Sequence, residues 1–191
     1  MGNAKTVAVL VPVKAFADAK LRLAPALSAP ERAALAQSMA ERLIAAATPI
    51  PVAVACEDRG VATWAEGLGA RVVWTPGTGL NGAVQMGFRE LVDDGYDLVI
   101  VAHADLPHAQ RLERVVDFDS ITIVPDRRDD GTNVLALPAT VSDFTFSYGP
   151  ASFARHLEEA SRTGGHVRVL RLPDLQWDVD TPDDLPLPAR I

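Results

Sequence analysis

The segment Val7-Ala-Val-Leu-Val-Pro-Val13 is apolar at nearly every position, and it decides the fold class. A strand without polar positions is typical of a parallel sheet whose two faces are both covered by helices. Similar runs recur at 52–55, 71–74, 98–102, 121–124, 134–137 and 167–170, and segments of helical periodicity alternate with them. This alternation is typical of βαβ units. The sequence therefore predicts an α/β protein with a largely parallel sheet.

The composition indicates a globular chain with an acidic surplus. The 191 residues are 48% hydrophobic and 23% charged, with a formal net charge of −7, and they suit one domain over 1–191. The acidic balance argues against sequence-independent nucleic-acid binding. No apolar run approaches the roughly 20 residues that span a bilayer. Cys56 is the only cysteine, which excludes an internal disulfide, so we expect a cytoplasmic protein and leave a homodimer open.

Three cations follow the first strand. Lys14, Lys20 and Arg22 lie in the next nine residues, before the first long helix is expected. Ligands of open α/β sheets bind beyond the carboxyl ends of the strands, and Lys and Arg are the side chains that bind phosphate oxygens. The segment therefore predicts a phosphate-bearing substrate, with a solvated surface loop as the alternative.

Start and stop signals delimit four helices. A capping box at Ser28–Glu31 begins a helix over about 29–47, and Asp58 can cap a helix that reaches Leu68. Asn81 is a candidate cap for a helix over about 82–93, and a fourth helix is expected over 150–162.

Three aspartates are candidate metal ligands. Asp105 comes shortly after the apolar strand 98–102, and Asp178 and Asp180 alternate, which places them on one side of an extended segment. Carboxylates close to each other repel unless a cation or a proton lies between them, and hard oxygen ligands suit Mg²⁺ or Mn²⁺. The alternative is a turn or capping role, and Thr181 can cap a short helix while the aspartates bind metal.

Three small-residue segments are candidate ligand contacts. The glycines of Gly77-Thr-Gly79-Leu-Asn81 would let the backbone approach a flat ligand, or they form a plain turn before a helix. Asp130-Gly-Thr-Asn133 and Ser147-Tyr-Gly-Pro-Ala-Ser152 are polar, and the second precedes a helix whose N-terminus could bind an anion or could simply be capped.

The order of these motifs along the chain resembles a known family. PVKAFADAKLRL, GTGLNGA, HADLP, DGTN, YGPAS and WDVDTPDDL follow one another between Val7 and Leu185. This order is similar to that of the CofC/FbiD-type guanylyltransferases, which act in the biosynthesis of the deazaflavin coenzyme F-420. The resemblance implies a three-layer Rossmann-like nucleotide-diphospho transferase fold whose mostly parallel sheet contains one antiparallel strand.

The resemblance also implies a role for individual residues. Donor-side contacts to GTP would come from Pro12, Val13, Lys14, Lys20, Arg22, Gly79, Leu80 and Asn81. Acceptor contacts would come from Thr132, Asn133, Gly149 and Ser152, the metal (Mg²⁺ or Mn²⁺) would be bound by Asp105, Asp178 and Asp180, and Lys14, Lys20, Arg22 and Asp105 would be catalytic.

The implied reaction is attack by a phosphate oxygen of a three-carbon phospho-acid on the α-phosphorus of GTP, with release of pyrophosphate. A phosphate whose second pKa is near 6 is already ionised at neutral pH, so no enzyme nucleophile or base is required. Other readings stay open: nucleotidyl transfer to a molybdenum-cofactor precursor or a sugar phosphate, a nucleotide-sugar glycosyltransferase, or a nucleotide-binding regulator without catalysis. The sequence does not choose among 2-phospholactate, phosphoenolpyruvate and 3-phosphoglycerate as the acceptor.

Overall fold

A computed structural model describes residues 4–185, which contain one sheet of seven strands. The strands are β1 (Val7–Pro12), β2 (Val52–Cys56), β3 (Arg71–Trp74), β4 (Leu98–Ala102), β5 (Ser120–Pro125), β6 (Thr132–Pro138) and β7 (His166–Val169). Their order across the sheet is β3-β2-β1-β4-β6-β5-β7. Each strand lies within one or two residues of an apolar run in the sequence, because the interior strands are buried on both faces and need apolar side chains at nearly every position.

One strand runs against the others. β6 pairs antiparallel with both β4 and β5, whereas the pairs β1–β2, β1–β4, β2–β3 and β5–β7 are parallel. The predicted mostly parallel sheet with one antiparallel strand is therefore confirmed. The reversal has a consequence for the site, since the first residues of β6 lie at the edge where the parallel strands end.

Helices cover both faces of the sheet. They are α1 (Ala29–Ala47), α2 (Arg59–Gly67), α3 (Gly79–Asp93), α4 (Ser152–Arg162) and the short α5 (Pro173–Gln176). The Ser28–Glu31 capping box and the Asp58 cap, whose carboxylate accepts from the Val61 amide, form as expected. The predicted cap at Asn81 is wrong, because α3 begins at Gly79 and Asn81 lies inside its first turn.

Alternate residues of the strands pack into two layers of core. Val9 and Val11 face the cluster that includes residues of α1, α2 and α5, while Ala8 and Leu10 face the cluster that includes α3 and α4. The predicted three layers are therefore confirmed. On the second face α3 approaches β1 so closely that a Cβ at Gly87 would lie 2.7 Å from a methyl group of Leu10, which only glycine permits.

The carboxyl ends of β1, β2, β3 and β4 lie side by side. Pro12 is in register with Ala55, and Cys56 is in register with Trp74. β1 lies between β2 and β4, so the order of the strands reverses next to it. Such a switch point opens a crevice for ligands. No helix among residues 4–185 combines the length and the apolar composition needed to cross a bilayer.

Candidate active site

A cavity of about 660 Å³ opens at the carboxyl ends of the central strands. Its walls come from the loop after β1, α1, the ends of β2 and β3, the first turns of α3, the segment after β4, and Asp180. Pockets of this size hold small-molecule ligands and cofactors. The cavity therefore lies where the sequence predicts a binding site.

The loop after β1 is folded into two single turns of 3-10 helix, Phe16–Asp18 and Leu21–Leu23. Ala19 and Leu23 are buried and hold the loop against the protein. Lys20, between them, has left-handed backbone angles (φ 54°, ψ 40°). A non-glycine residue in this region costs about 1–2 kcal/mol, which the surrounding packing must offset. The strained conformation directs Lys20 into the cavity.

The Lys20 ammonium bridges two aspartates that are far apart in the sequence. Its Nζ lies 2.6 Å from Asp105 Oδ2 and 3.3 Å from Asp180 Oδ1. Burial disfavours the charge on Lys20, but the two carboxylates outweigh it and raise its pKa. Burial likewise works against the charge on Asp105, yet Lys20 and His103 hold the pKa of Asp105 below its ordinary value. Lys20 and Asp105 are therefore both charged at neutral pH.

The other predicted cations lie at the rim of the cavity. Arg22 Nη1 is 3.3 Å from Asp180 Oδ2, and its side chain is 75% exposed. Lys14 is exposed and lines the same cavity, together with Pro12 and Val13. An exposed guanidinium or ammonium can leave a carboxylate for a phosphate at little cost. The structure thus brings together Lys14, Lys20 and Arg22 as the sequence predicts.

Asp178 has a different environment from Asp180. Arg127 Nη1 lies 3.6 Å from Asp178 Oδ1 and donates a hydrogen bond to the Asp178 carbonyl oxygen at 3.1 Å, and its guanidinium stacks on Trp177 at 4.1 Å. Burial, and then the charge of Asp105, raise the pKa of Asp178 to about 6. Asp178 is close enough to Asp105 for their charges to interact, although it does not line the cavity.

A buried carboxylate, Asp184, holds the backbone that carries both aspartates. Asp184 Oδ2 accepts from the amides of Asp180 and Thr181 at 2.7 Å, and Arg127 and Arg128 donate to its Oδ1. The side chain of Thr181 completes a capping box with Asp184, as the sequence predicts. Because Arg127 and Arg128 belong to the loop after β5, this cluster joins that loop to the C-terminal segment.

The three predicted metal ligands, Asp105, Asp178 and Asp180, do not form a complete cage of protein ligands. Among residues 4–185, no group of three or more His, Cys, Asp or Glu side chains is arranged to hold a metal ion. Asp105 and Asp178 nevertheless each have one buried oxygen, Oδ1 in both, that accepts no hydrogen bond within the described part of the chain. Buried carboxylate oxygens without donors are the groups that a divalent cation can satisfy.

The glycine-rich loop contributes two of its three predicted residues to the cavity. Gly79 and Leu80 line it, and Gly79 has a positive φ of 63°. The Asn81 side chain instead binds the backbone of Tyr148, accepting from its amide at 2.6 Å and donating to its carbonyl at 3.3 Å. Asn81 therefore joins the start of α3 to the segment before α4 and does not line the cavity.

Three of the four predicted acceptor residues, Thr132, Asn133 and Ser152, are buried, whereas Gly149 is exposed. The Thr132 amide donates to Ser152 Oγ at 3.0 Å, and Thr132 Oγ1 lies 3.0 Å from His156 Nδ1. The Ser152 amide donates to the Gly149 carbonyl, and the Asn133 side chain donates to the Leu175 carbonyl. None of the four predicted acceptor residues lines the cavity.

The N-terminus of α4 is less available to an anion than the sequence suggests. The amides of Ala151 and Phe153 donate to the side chain and the carbonyl of Asp130. Asp130 belongs to the loop between β5 and β6, so it caps a helix far away in the sequence. An anion bound at this end of α4 would compete with these contacts.

Two polar residues near the site, Glu57 and Arg127, were not singled out by the sequence, whereas His103 was expected near the site in a packing or hydrogen-bonding role. Glu57 lines the cavity at the end of β2, His103 lines it at the end of β4, and Arg127 pairs with Asp178. The positions of Glu57 and His103 directly after strands were a usable signal. The role of Arg127 had no local signal, because its contacts lie about 50 residues away.

Family and sequence comparisons bear on the activity. Residues 7–187 match the family model of CofC-like guanylyl transferases. A phosphoenolpyruvate guanylyltransferase of Roseiflexus castenholzii is 36% identical over 179 residues, covering 92% of this chain and 84% of that protein. A protein of the same name from Rubrobacter xylanophilus is 36% identical over 189 residues, covering 94% of this chain and 92% of that protein.

Solved structures agree on the fold. A protein from Desulfovibrio desulfuricans G20, described as a nucleotide-diphospho-sugar transferase, superposes with a TM-score of 0.75 at 16% identity, covering 93% of this chain and 84% of that one. A 4-diphosphocytidyl-2C-methyl-D-erythritol synthase superposes with a TM-score of 0.65 at 11% identity, covering 96% of both chains. At these identities the likeness concerns the fold alone.

Proposed function

The chain belongs to the CofC-like guanylyl transferase family, and from this membership we propose that it transfers GMP from GTP to phosphoenolpyruvate and releases pyrophosphate. The curated relatives named above are phosphoenolpyruvate guanylyltransferases, which favours this acid over 2-phospholactate and 3-phosphoglycerate. That the product enters coenzyme F-420 biosynthesis stays a prediction of the resemblance.

One observation supports the proposal most directly. Lys20 lies between Asp105 and Asp180 in a cavity that Lys14 and Arg22 also line. Two polyanionic substrates must be brought together in this reaction, which requires positive charge and fixed orientation. The charged side chains pair with each other and face the cavity. The lysine and arginine can therefore exchange a carboxylate for a phosphate, and the aspartates can exchange an ammonium or guanidinium for a metal cation.

We propose that Asp105, Asp178 and Asp180 hold Mg²⁺ or Mn²⁺. Mg²⁺ is usually bound through one or two carboxylates together with substrate phosphates and water. It therefore does not require a complete set of protein ligands, and these aspartates can bind it together with the substrate. The Oδ1 atoms of Asp105 and Asp178, which accept no hydrogen bond within the described part of the chain, supply suitable ligands. When bound, the metal would neutralise charge on the phosphates and orient them.

The chain's own residues would act by binding and orientation. In the proposed step an ionised phosphate oxygen of the acid bonds to the α-phosphorus, the bond from that phosphorus to the bridging oxygen breaks, and pyrophosphate leaves with the electron pair. No proton has to be removed from the attacking oxygen. Lys20 and Arg22 would bind phosphate oxygens, and Lys20 stays charged because its pKa is raised.

The acceptor would approach from the side of β6. Antiparallel pairing brings Thr132 and Asn133 to the edge where β4 ends, and the His103 amide donates to the Asn133 carbonyl at 3.0 Å. The predicted acceptor residues therefore lie next to the segment that carries Asp105. Contact with the acid would require polar groups that are now bound to one another to turn toward it.

The test is product identification with a panel of substrates. Purified protein is incubated with GTP, Mg²⁺ and, in separate reactions, phosphoenolpyruvate, 2-phospholactate, 3-phosphoglycerate, a molybdopterin or a sugar phosphate, and the products are identified by mass. We expect the guanylylated phosphoenolpyruvate and one pyrophosphate per turnover. In a parallel reaction with a nucleotide sugar in place of GTP, consumption of that sugar without pyrophosphate would indicate a glycosyltransferase. GTP binding without turnover on any acceptor would indicate a regulator.

A further inference from the structure

Three acidic residues line the cavity, and one of them has no place in the site described so far. Asp105 and Asp180 pair with Lys20 after β4 and near the C-terminus. Glu57 lies elsewhere, directly after β2. The Val13 amide donates to the Ala55 carbonyl, so Glu57 lines the cavity on the β2 side of the loop after β1, and Asp105 lies on the opposite side, after β4.

The chemistry of the cavity wall gives the orientation of a bound nucleotide. Phosphates belong with Lys14, Lys20 and Arg22, so the base extends toward the part of the wall without cations, which is made by the ends of β2 and β3, the start of α3, and Ala36 and Met39 of α1. We place the base against the ends of β2 and β3 and the start of α3, because this side of the wall also carries a polar side chain, Glu57. That wall is largely apolar; it includes Ala55, Cys56, Leu80 and Ala83. Apolar walls suit the faces of a flat ring, and a polar side chain among them can contact its edge.

Glu57 is held in place by the loop on which the base would lie. Its Oε2 accepts a hydrogen bond from the Gly77 amide at 2.7 Å, and the Thr75 amide donates to the Cys56 carbonyl at 2.9 Å. A carboxylate offers about four lone-pair positions on two oxygens, and the Gly77 amide uses one. Glu57 is thus a fixed acceptor with capacity for further donors.

Guanine presents two donors side by side on one edge, the N1–H and the exocyclic N2 amino group. Adenine, cytosine and uracil each lack this pair of donors. The two oxygens of a carboxylate can accept one hydrogen bond from each of guanine's two donors. We propose that Glu57 is a specificity-determining residue that accepts hydrogen bonds from N1–H and N2–H of the donor nucleotide's guanine. The inference deepens the proposed function and rests on it for the identity of the donor.

The test compares GTP with ITP, whose base lacks only the N2 amino group. Glu57→Gln keeps the size of the side chain and an oxygen for the Gly77 amide, but removes the charge and one acceptor oxygen. Wild-type protein is expected to prefer GTP, and the variant is expected to lose about tenfold or more of that preference, since a hydrogen bond to a charged group contributes that much. The loss should appear in KM and in the Kd from calorimetry, with little change in kcat.

The matched control is Glu66→Gln, which makes the same chemical change at an exposed position of α2 outside the cavity wall. If Glu57 only supports the loop at Gly77, its replacement weakens GTP and ITP equally, and an unchanged GTP-to-ITP ratio overturns the inference.

Binding and turnover are measured separately so that two failures can be told apart. If wild-type protein binds GTP more tightly than ITP but forms no product with any acid, the proposed function is wrong. The ratio of the Kd values for ITP and GTP in Glu57→Gln still tests the role of Glu57 in that case. If wild-type protein binds the two nucleotides equally and still guanylylates the acid, only the inference about Glu57 is overturned. If it binds neither nucleotide, the proposed function is overturned together with the inference.

Discussion

The two halves of the site hold their polar groups in opposite ways. In the Lys20 cluster (Lys20, Arg22, Asp105 and Asp180) opposite charges pair across the cavity, and the Lys20, Asp105 and Asp180 side chains are 12%, 20% and 40% exposed. In the His156 cluster (Thr132, Ser152 and His156) neutral groups bind each other at 0–3% exposure.

This difference separates function from stability. Charges that face a cavity can exchange a protein partner for a ligand, and the exposed Arg22–Asp180 pair contributes little to folding. A buried donor or acceptor that loses its partner has no substitute and costs about 1–3 kcal/mol. Substitutions in the Lys20 cluster should therefore impair turnover more than stability. Substitutions in the His156 cluster should impair stability more than turnover. Four measurements test this division, in decreasing order of expected effect.

The largest effect is expected for Asp105→Asn. Asparagine keeps the shape of the side chain but removes the charge next to Lys20, so kcat should fall by about 10³-fold, the upper range for loss of one electrostatic group in a site. The midpoint of thermal unfolding should stay within a few degrees of wild type. Turnover at the wild-type rate would remove Asp105 from the catalytic machinery.

The second effect concerns the pH dependence of folding. His156 Nε2 accepts from the Ser147 amide at 2.9 Å, and burial lowers the pKa of His156 to about 4 from 6.5. As the pH falls, the histidine is protonated in the unfolded chain before it is protonated in the folded one. The contribution of neutral His156 to the free energy of unfolding is therefore fully present above pH 6.5 and is lost as the pH falls toward 4. The loss should approach about 3 kcal/mol, measured by urea unfolding at several pH values.

In His156→Gln this component of the pH dependence should disappear, because the amide cannot be protonated in that range. His166→Gln, on the edge strand β7 where the residue is exposed, is the matched control. A wild-type slope that persists in His156→Gln would assign the acid sensitivity to other groups.

The third effect is expected for Ser152→Ala. The change leaves the buried Thr132 amide without its acceptor, so the free energy of unfolding should fall by about 2 kcal/mol. Ser161→Ala serves as the control, since that serine is exposed on the same helix and binds only the carbonyl of its own preceding turn. Equal stabilities of the two variants would show that the His156 cluster does not depend on this hydrogen bond.

The smallest effect is expected for Arg22→Gln. Its ion pair with Asp180 is exposed and should contribute less than about 0.5 kcal/mol to stability. If Arg22 binds phosphate, KM for GTP should nevertheless rise several-fold while kcat changes little, measured by initial rates of pyrophosphate release. A variant that is clearly unstable would place Arg22 with the residues that hold the fold together.

The sequence specified local structure with few errors. The helix Ala29–Ala47 and the strands Arg71–Trp74 and Leu98–Ala102 have the predicted bounds, because apolar periodicity and capping residues act over a few positions. The predicted start of α3 was wrong by three residues. Asn81 resembled a helix cap, but its side-chain amide hydrogen-bonds to the backbone of Tyr148, 67 residues away. A local pattern carries no information about such a partner.

The sequence by itself determined the set of helices and strands and the polar residues that follow the strands. A buried strand requires an apolar run, and the strand ends where polar residues begin. Tertiary structure alone decided that Lys20 bridges Asp105 and Asp180, that Arg127 pairs with Asp178, and that Glu57 faces the cavity. The physical reason is that charges interact through space, whatever their separation along the chain, so only the packing of the strands determines which of them meet.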